Sequence, residues 1–282
     1  MKARGEKKAR KLMFHLPFLS LFRCLVMGCV FSFSSAAQAE CGKNISIAYS
    51  KNYIPYQLQS SGATGPTGLD IDIISAIMDE LGCEYHFVEI PSKRAQMLLK
   101  RGSLDVMPAA SITEERRSYS YFSAPYRDEA IAMFVRSEDH NKYRQYVFSD
   151  AIDNSLRISA GLGGWYGPEY GEEKARALEV GALTLSASTA VRFQQLFDKR
   201  IDMVVADLFV GYHHAIQSNR LDDISPLPHL LNSDPAHFML SKKSVTRQFV
   251  DEFNTALKAV LISEKYERLL EKYQPTPSVP TN

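Results

Sequence analysis

Between residues 45 and 109 the apolar pattern alternates between two periods, and that alternation leaves few folds open. Residues 45–49 (ISIAY), 85–90 (YHFVEI) and 104–109 read as strands. Ile74, Ile77, Met78 and Leu81 recur at i, i+3, i+4 and i+7, which predicts a helix over 70–81 that Gly82 stops. A second helix over 93–101 turns Ala95, Leu98 and Leu99 inward and stops at Gly102. Strand–helix–strand–helix–strand implies a parallel sheet with helices on its faces. Ligands of such sheets sit beyond the carboxyl ends of the strands. The loops after Tyr49, Ile90 and Ala109 are therefore expected to converge on one crevice.

The pattern then restarts. Residues 130–135 (AIAMFV) form an apolar run suited to crossing into a second lobe. Strands are predicted at 156–160, 182–186 and 201–206, the last ending at Asp207. Ser188 or Thr189 caps a helix that carries Phe193, Leu196 and Phe197. Residues 225–235, rich in Pro and Asn, are expected to be a return crossing, and 246–273 a helix with Phe249, Phe253, Leu257 and Val260 on one face. The tail after Tyr273 reads as disordered. Periodicity alone thus supports an α/β protein of one or two domains.

The first 39 residues read as an export signal rather than as fold. Lys2, Arg4, Lys7, Lys8, Arg10 and Lys11 precede a ten-residue apolar stretch at 24–33, and Ala37-Gln38-Ala39 is a small-x-small cleavage site. The stretch is too short to span a bilayer as a helix. Val26-Met27-Gly28-Cys29 loosely resembles a lipoprotein signal, but Met27 fits that pattern poorly, so a chain released without a lipid anchor is expected. Met13 is an alternative start. Cleavage after Ala39 removes seven basic residues and one acid, which turns 33 basic and 32 acidic residues into 26 and 31. A net charge of −5 argues against nucleic acid as a partner. Cys41 and Cys83 remain, an even count in an oxidising compartment, at the starts of two strands that a βαβ unit makes neighbours. A disulfide between them is expected. His213 and His214 are adjacent and point about 100° apart on a helix, so they do not chelate a metal together. No cofactor is expected.

The most telling segment is 102–126, GSLDVMPAASITEERRSYSYFSAPY. Arg116 offers a planar, permanently charged fork that a carboxylate accepts in bidentate fashion, and Ser111 and Thr113 add hydroxyl and backbone donors on the same turn. Read alone, Glu114, Glu115, Arg116 and Arg117 also fit a solvated mixed-charge turn. Three pieces stand in order: a G-x-x-D turn, an S-I-T-x-x-R loop and an F-S-x-P-Y run with Arg116 six residues before Phe122. Together they resemble the polar-amino-acid family of periplasmic solute-binding proteins. Tyr53-Ile54-Pro55-Tyr56 is similar to the family's aromatic-x-Pro-aromatic loop, and Gly68-Leu69-Asp70-Ile71-Asp72 to the start of its first helix.

The resemblance covers roughly residues 45–273. It implies a two-lobed clamp, each lobe a mainly parallel sheet flanked by helices, with two hinge crossings. Lobe 1 would comprise 40–128 and 232–282, and lobe 2 residues 129–231. It further implies a monomeric carrier that delivers an amino acid or similar small polar solute to an inner-membrane ABC permease. Arg116 would hold the ligand carboxylate and Asp207 its α-ammonium, while Tyr53 stacks on it or packs beneath its own loop. The chain departs from the family's pattern in three places. Gly161-Leu162-Gly163-Gly164-Trp165 stands where a threonine-bearing turn is usual, with Gly164 amides and Trp165 as candidate contacts. Ser50 replaces an acid, and Ala109-Ala110 replaces a serine site. Arg94 is either a second cation of the cleft or a solvated surface residue. A ligand sensor without transport, or a dehydratase-like enzyme using Glu169, Glu172 or Glu173, are the alternatives that the same fold allows.

Overall fold

The computed structural model describes residues 41–59 and 65–273. The export signal with its cleavage site, the Cys29 motif and the tail after Tyr273 lie outside the described residues. The chain opens with β1 (Ile45–Tyr49), a small antiparallel group β2 (Asn52–Tyr53), β3 (Gln57–Gln59) and β4 (Pro66–Thr67), and α1 (Leu69–Leu81). There follow β5 (Tyr85–Glu89), α2 (Ser92–Arg101), β6 (Val106–Ala110), α3 (Glu114–Tyr119) and β7 (Ser120–Phe122). The middle of the chain contributes β8 (Ile131–Arg136), α4 (His140–Tyr143), α5 (Phe148–Asp153), β9 (Ile158–Gly161), α6 (Pro168–Glu179), β10 (Leu183–Ser186), α7 (Thr189–Phe197), β11 (Met203–Asp207), α8 (Leu208–Gln217) and β12 (Ile224–Asn232). It closes with β13 (His237–Ser241), α9 (Arg247–Leu261) and α10 (Glu264–Tyr273).

Two five-stranded sheets result, ordered β5-β1-β6-β13-β7 and β10-β9-β11-β8-β12. In each, three strands pair in parallel, and one strand from the far side of a crossing (β13 or β8) inserts antiparallel before the edge strand. Helices cover both faces of both sheets, as the alternating pattern requires. Ile73, Ile77, Phe253 and Leu257 bury one face of the first sheet, and Ala95 and Leu99 the other against Met107 and Met239. Each such fully buried side chain contributes about 1.5–3 kcal/mol. On the second sheet, Phe148 and Tyr170 pack on one face, and Phe193 and Leu196 on the other.

Two segments differ from the sequence reading. Residues 224–232 are a nine-residue strand antiparallel to β8, not a crossing. Pro226 and Pro228 are tolerated because β12 is an edge strand, where one row of backbone groups has no ladder partner. The return crossing shrinks to 233–236. It runs beside the outgoing one, with the Ala236 amide donating to the Arg127 carbonyl at 3.0 Å and the Tyr126 amide to the Ala236 carbonyl at 3.1 Å. The predicted long terminal helix is two helices. It breaks at Ile262 and Ser263, where the Ser263 hydroxyl accepts from the Tyr266 amide at 3.3 Å and so caps the second. Gly82 does stop α1, in a left-handed conformation with φ 67°.

Cys41 and Cys83 are bonded, with Cα atoms 5.5 Å apart, just ahead of β1 and β5, whose register pairs Ile45 with Tyr85. The bridge closes a sequence separation of 42 residues. The double substitution Cys41→Ser, Cys83→Ser is expected to lower the unfolding free energy by on the order of 2–5 kcal/mol. Denaturant titration checks this, and a variant as stable as the wild type would leave the bridge without a stabilising role.

Candidate functional site

A cavity of about 330 Å³ lies between the two sheets, walled by the carboxyl ends of β1, β5 and β6 on one side and by the loops after β9, β10 and β11 on the other. Six of the eight residues singled out from sequence line it: Tyr53, Ser111, Arg116, Gly164, Trp165 and Asp207. Thr113 and Arg94 do not. Thr113 instead caps α3, its hydroxyl accepting from the Arg116 amide at 3.2 Å. It thereby orients the turn that carries Arg116.

Arg116 is 8% exposed. Its Nη1 donates to the Ser111 carbonyl at 2.8 Å and its Nη2 reaches across the cavity to the Gly163 carbonyl at 3.3 Å. Burial pulls its pKa below the usual guanidinium value, and among the described residues no carboxylate lies within ion-pair distance of it. The Gln96 Nε2 donates to the same Gly163 carbonyl at 2.9 Å, so the two sheets are bridged at this point. Gly163 has φ 88°, and a Cβ there would come within 3.1 Å of the Lys93 backbone. Only glycine lets the second-sheet loop approach so closely.

Three amides that the glycine run offered as an anion cradle are already taken. The Gly161 amide donates to the Tyr166 hydroxyl at 3.0 Å, Leu162 to the Ser186 carbonyl at 3.0 Å and Gly164 to the Gly161 carbonyl at 3.2 Å. The helix beyond starts only at Pro168. The Gly164 amide closes a turn, and the residue meets the cavity as wall. Trp165 lines the cavity with its indole against Gly171 of α6.

Asp207 ends β11 and caps α8. Its Oδ1 accepts from the Val210 amide and from the Tyr56 hydroxyl, both at 3.1 Å. Oδ2 is buried with no hydrogen-bond partner, and the residue is 2% exposed. Burial pushes its carboxyl up, against the opposing charge of Arg127. A buried carboxylate oxygen without a hydrogen-bond partner, on a residue of the cavity wall, is an acceptor left for a donor.

Sequence reasoning missed a second layer of charge. Arg127, in the outgoing crossing, pairs with Asp70 at 3.0 Å and Glu129 at 3.7 Å and lies 3.7 Å over the Tyr56 ring. Glu129 lines the cavity, and burial lifts its carboxyl to about 7, with the negative charges of Asp207 and Asp70 adding and Arg127 opposing. In the sequence, Arg127-Asp128-Glu129 looks like any solvated charge run. Arg192 also lines the cavity, and here a signal existed: it lies on the same face of α7 as Thr189 and Leu196, an i, i+3, i+7 stripe that is buried throughout. Glu169, Glu172 and Glu173, the acids considered for an enzyme, are not part of the cavity wall. Glu169 accepts from the Phe148 amide at 2.7 Å and contacts His229 at 2.9 Å.

The profile of bacterial extracellular solute-binding proteins, family 3, matches residues 45–276. No curated protein sequence matches the chain. Among solved structures, an amino acid ABC transporter substrate-binding protein from Streptococcus pneumoniae bound to L-arginine is similar at 24% identity and TM-score 0.67, over 82% of this chain and 93% of that one. A mutant of ArgBP from T. maritima is similar at 21% identity and TM-score 0.69, over 82% and 94%. A histidine kinase sensor domain with similarity to periplasmic binding proteins is similar at 18% identity and TM-score 0.67, over 82% and 96%. At these identities the likenesses establish the fold.

Glu129 makes stability pH-dependent in a definite direction. Its carboxyl titrates at about 7 when folded, against 4.5 ordinarily, so the folded state holds a proton that the unfolded chain releases. Stability therefore falls as pH rises from about 4.5 to about 7, by on the order of 3 kcal/mol in total. Glu129→Gln is expected to flatten that slope and to be the more stable protein at pH 8 in the absence of ligand. Melting temperatures of both proteins at pH 5 and pH 8 check it; parallel shifts would remove Glu129 as the titrating group.

Proposed function

We propose that this chain, which belongs to the bacterial extracellular solute-binding proteins of family 3, captures an α-amino acid between its two lobes and presents it to a membrane permease. Arg116 receives the α-carboxylate and Asp207 the α-ammonium, with Tyr53 and Trp165 supplying flat apolar walls. Lobe 1 is residues 40–128 with 232–282, and lobe 2 is 129–231; the membership of the two sheets supports this division. The single observation that carries the reading is the complementary pair of unmet needs across one cavity. Arg116 is a buried cation without a counter-ion, and Asp207 Oδ2 is a buried acceptor without a donor. Arg116 lies in α3, next to the first sheet, and Asp207 ends β11 of the second, so a zwitterion satisfies both only when the lobes are together.

The family supports a protein that works outside the cytoplasm, and on this reading it acts as a monomer in the periplasm beside an ABC permease, needing no cofactor and performing no chemistry of its own. The solved amino acid ABC transporter substrate-binding protein of the same fold supports the permease as partner.

A thermal-shift screen of the exported protein against the twenty amino acids tests this. A ligand at a hundred times its dissociation constant adds about 2.7 kcal/mol to stability. The expected result is a clear shift with one class of amino acid, lost in Arg116→Ala and in Asp207→Asn. The absence of any shift, or a shift unchanged in Arg116→Ala, would contradict it.

A further inference from the structure

Arg192 stands at the start of α7, 5% exposed, and lines the same cavity as Arg116. Its Nη1 donates to the Val205 carbonyl at 2.9 Å and its Nη2 to the Thr189 hydroxyl at 2.8 Å, while Nε is buried without a partner. Among the described residues no carboxylate lies within ion-pair distance of it. Its surroundings do not compensate the charge. His214 of α8, which stacks on Phe193 of α7, is pushed down to about 4 by burial and by Arg192, and so is neutral at physiological pH. The amino end of α7 adds its own partial positive charge, with Ser186, Ser188 and Thr189 all on the cavity wall. A buried guanidinium held by neutral acceptors costs several kcal/mol of hydration that only an anion restores.

The cavity therefore has two unpaired guanidinium groups, and both flank the Gly161–Gly164 turn. Arg116 donates to the Gly163 carbonyl, and a Cβ on Gly161 would stand 3.7 Å from Arg192 Nη2. The charges at the opposite end do not balance them. Asp70 is taken by Arg127 at 3.0 Å, and Lys51 and Glu89 cancel at the rim at 2.9 Å. Glu129 holds its proton up to about pH 7. That leaves Asp207 alone against Arg116 and Arg192, one positive charge in excess. Lys174 feels the same field, its amine lowered by burial and then by Lys93 and Arg116.

We propose that Arg192 and the start of α7 form a second anion subsite, and that the ligand is an α-amino acid with a carboxylate on its side chain. This deepens the amino-acid reading above and rests on it. The α-carboxylate takes Arg116, the ammonium takes Asp207, and the side-chain carboxylate takes Arg192 together with the Thr189 and Ser188 hydroxyls. Three charged groups of the ligand then meet three charged groups of the cavity, and the complex is neutral.

Isothermal titration of the exported protein with L-glutamate, L-glutamine and L-arginine tests the subsite, because these share the α-carbon groups and differ in side-chain charge. L-Glutamate is expected to bind at least tenfold more tightly than L-glutamine, with L-arginine weakest, as a buried cation demands. In Arg192→Met the glutamate-to-glutamine preference is expected to fall at least tenfold, and in Arg192→Lys to be partly kept. The wild-type ranking is read independently of how well either variant folds. L-Glutamine or L-arginine binding as tightly as L-glutamate would overturn the subsite and leave the amino-acid reading standing. An unchanged preference in Arg192→Met would also overturn it. Failure of all twenty amino acids to bind would overturn both.

Discussion

Three guanidinium groups and three carboxylates are buried at the junction of the two sheets, and they do not cancel among themselves. Arg127 is neutralised by Asp70 and shared with Glu129. Arg116 and Arg192 have only carbonyl and hydroxyl acceptors, and Asp207 has an oxygen with no donor. Burying an uncompensated charge is among the most expensive arrangements a fold can hold. A ligand that enters the cavity must replace the water around these groups. On the proposed function, an incoming ligand relieves this imbalance, and its charge pattern is the complement of the cavity's.

The fold delivers these charges to one place. Parallel strands bring their carboxyl ends to one edge of each sheet, and the two edges face each other across the cavity. Asp207 is fixed because it both ends β11 and caps α8. Arg116 is fixed by α3, whose first turn Thr113 caps. The crossings run side by side, and Arg127 stands in one of them, stacked on Tyr56, which in turn bonds Asp207. The outgoing crossing and the Asp207 end of the cavity are thus a single hydrogen-bonded and ion-paired unit, whereas Arg116 and Gly163 form the bridge on the far side. Gly163 permits that bridge because a side chain there would push the loop away from Lys93.

Much of the fold was legible because its signals are local. The 3.6-residue period of α1, the strand runs and Gly82 each act within one element, and the structure reproduces them. The segment 224–232 was not legible, since Pro226 and Pro228 argue against a central strand and nothing in sequence reveals that β12 lies at an edge. The motif around Arg116 pointed to the site because it combines spacing with chemistry. Thr113 lies in that motif but caps α3, and Arg94 in the first turn of α2 is not part of the cavity wall. Glu129 and Arg192 escaped for opposite reasons. Glu129 hides in a charge run that resembles solvated surface, while Arg192 sits on a buried helical stripe where its charge was the anomaly.

The account turns on how the cavity's charges meet a ligand, and a crystal structure of the protein with L-glutamate bound measures that directly. It should show the α-carboxylate on Arg116, the ammonium on Asp207 and the side-chain carboxylate on Arg192 with the Thr189 and Ser188 hydroxyls, with the Gly163 bridge in place. A ligand that left Arg116 and Asp207 without contact, or that occupied another part of the molecule, would contradict it.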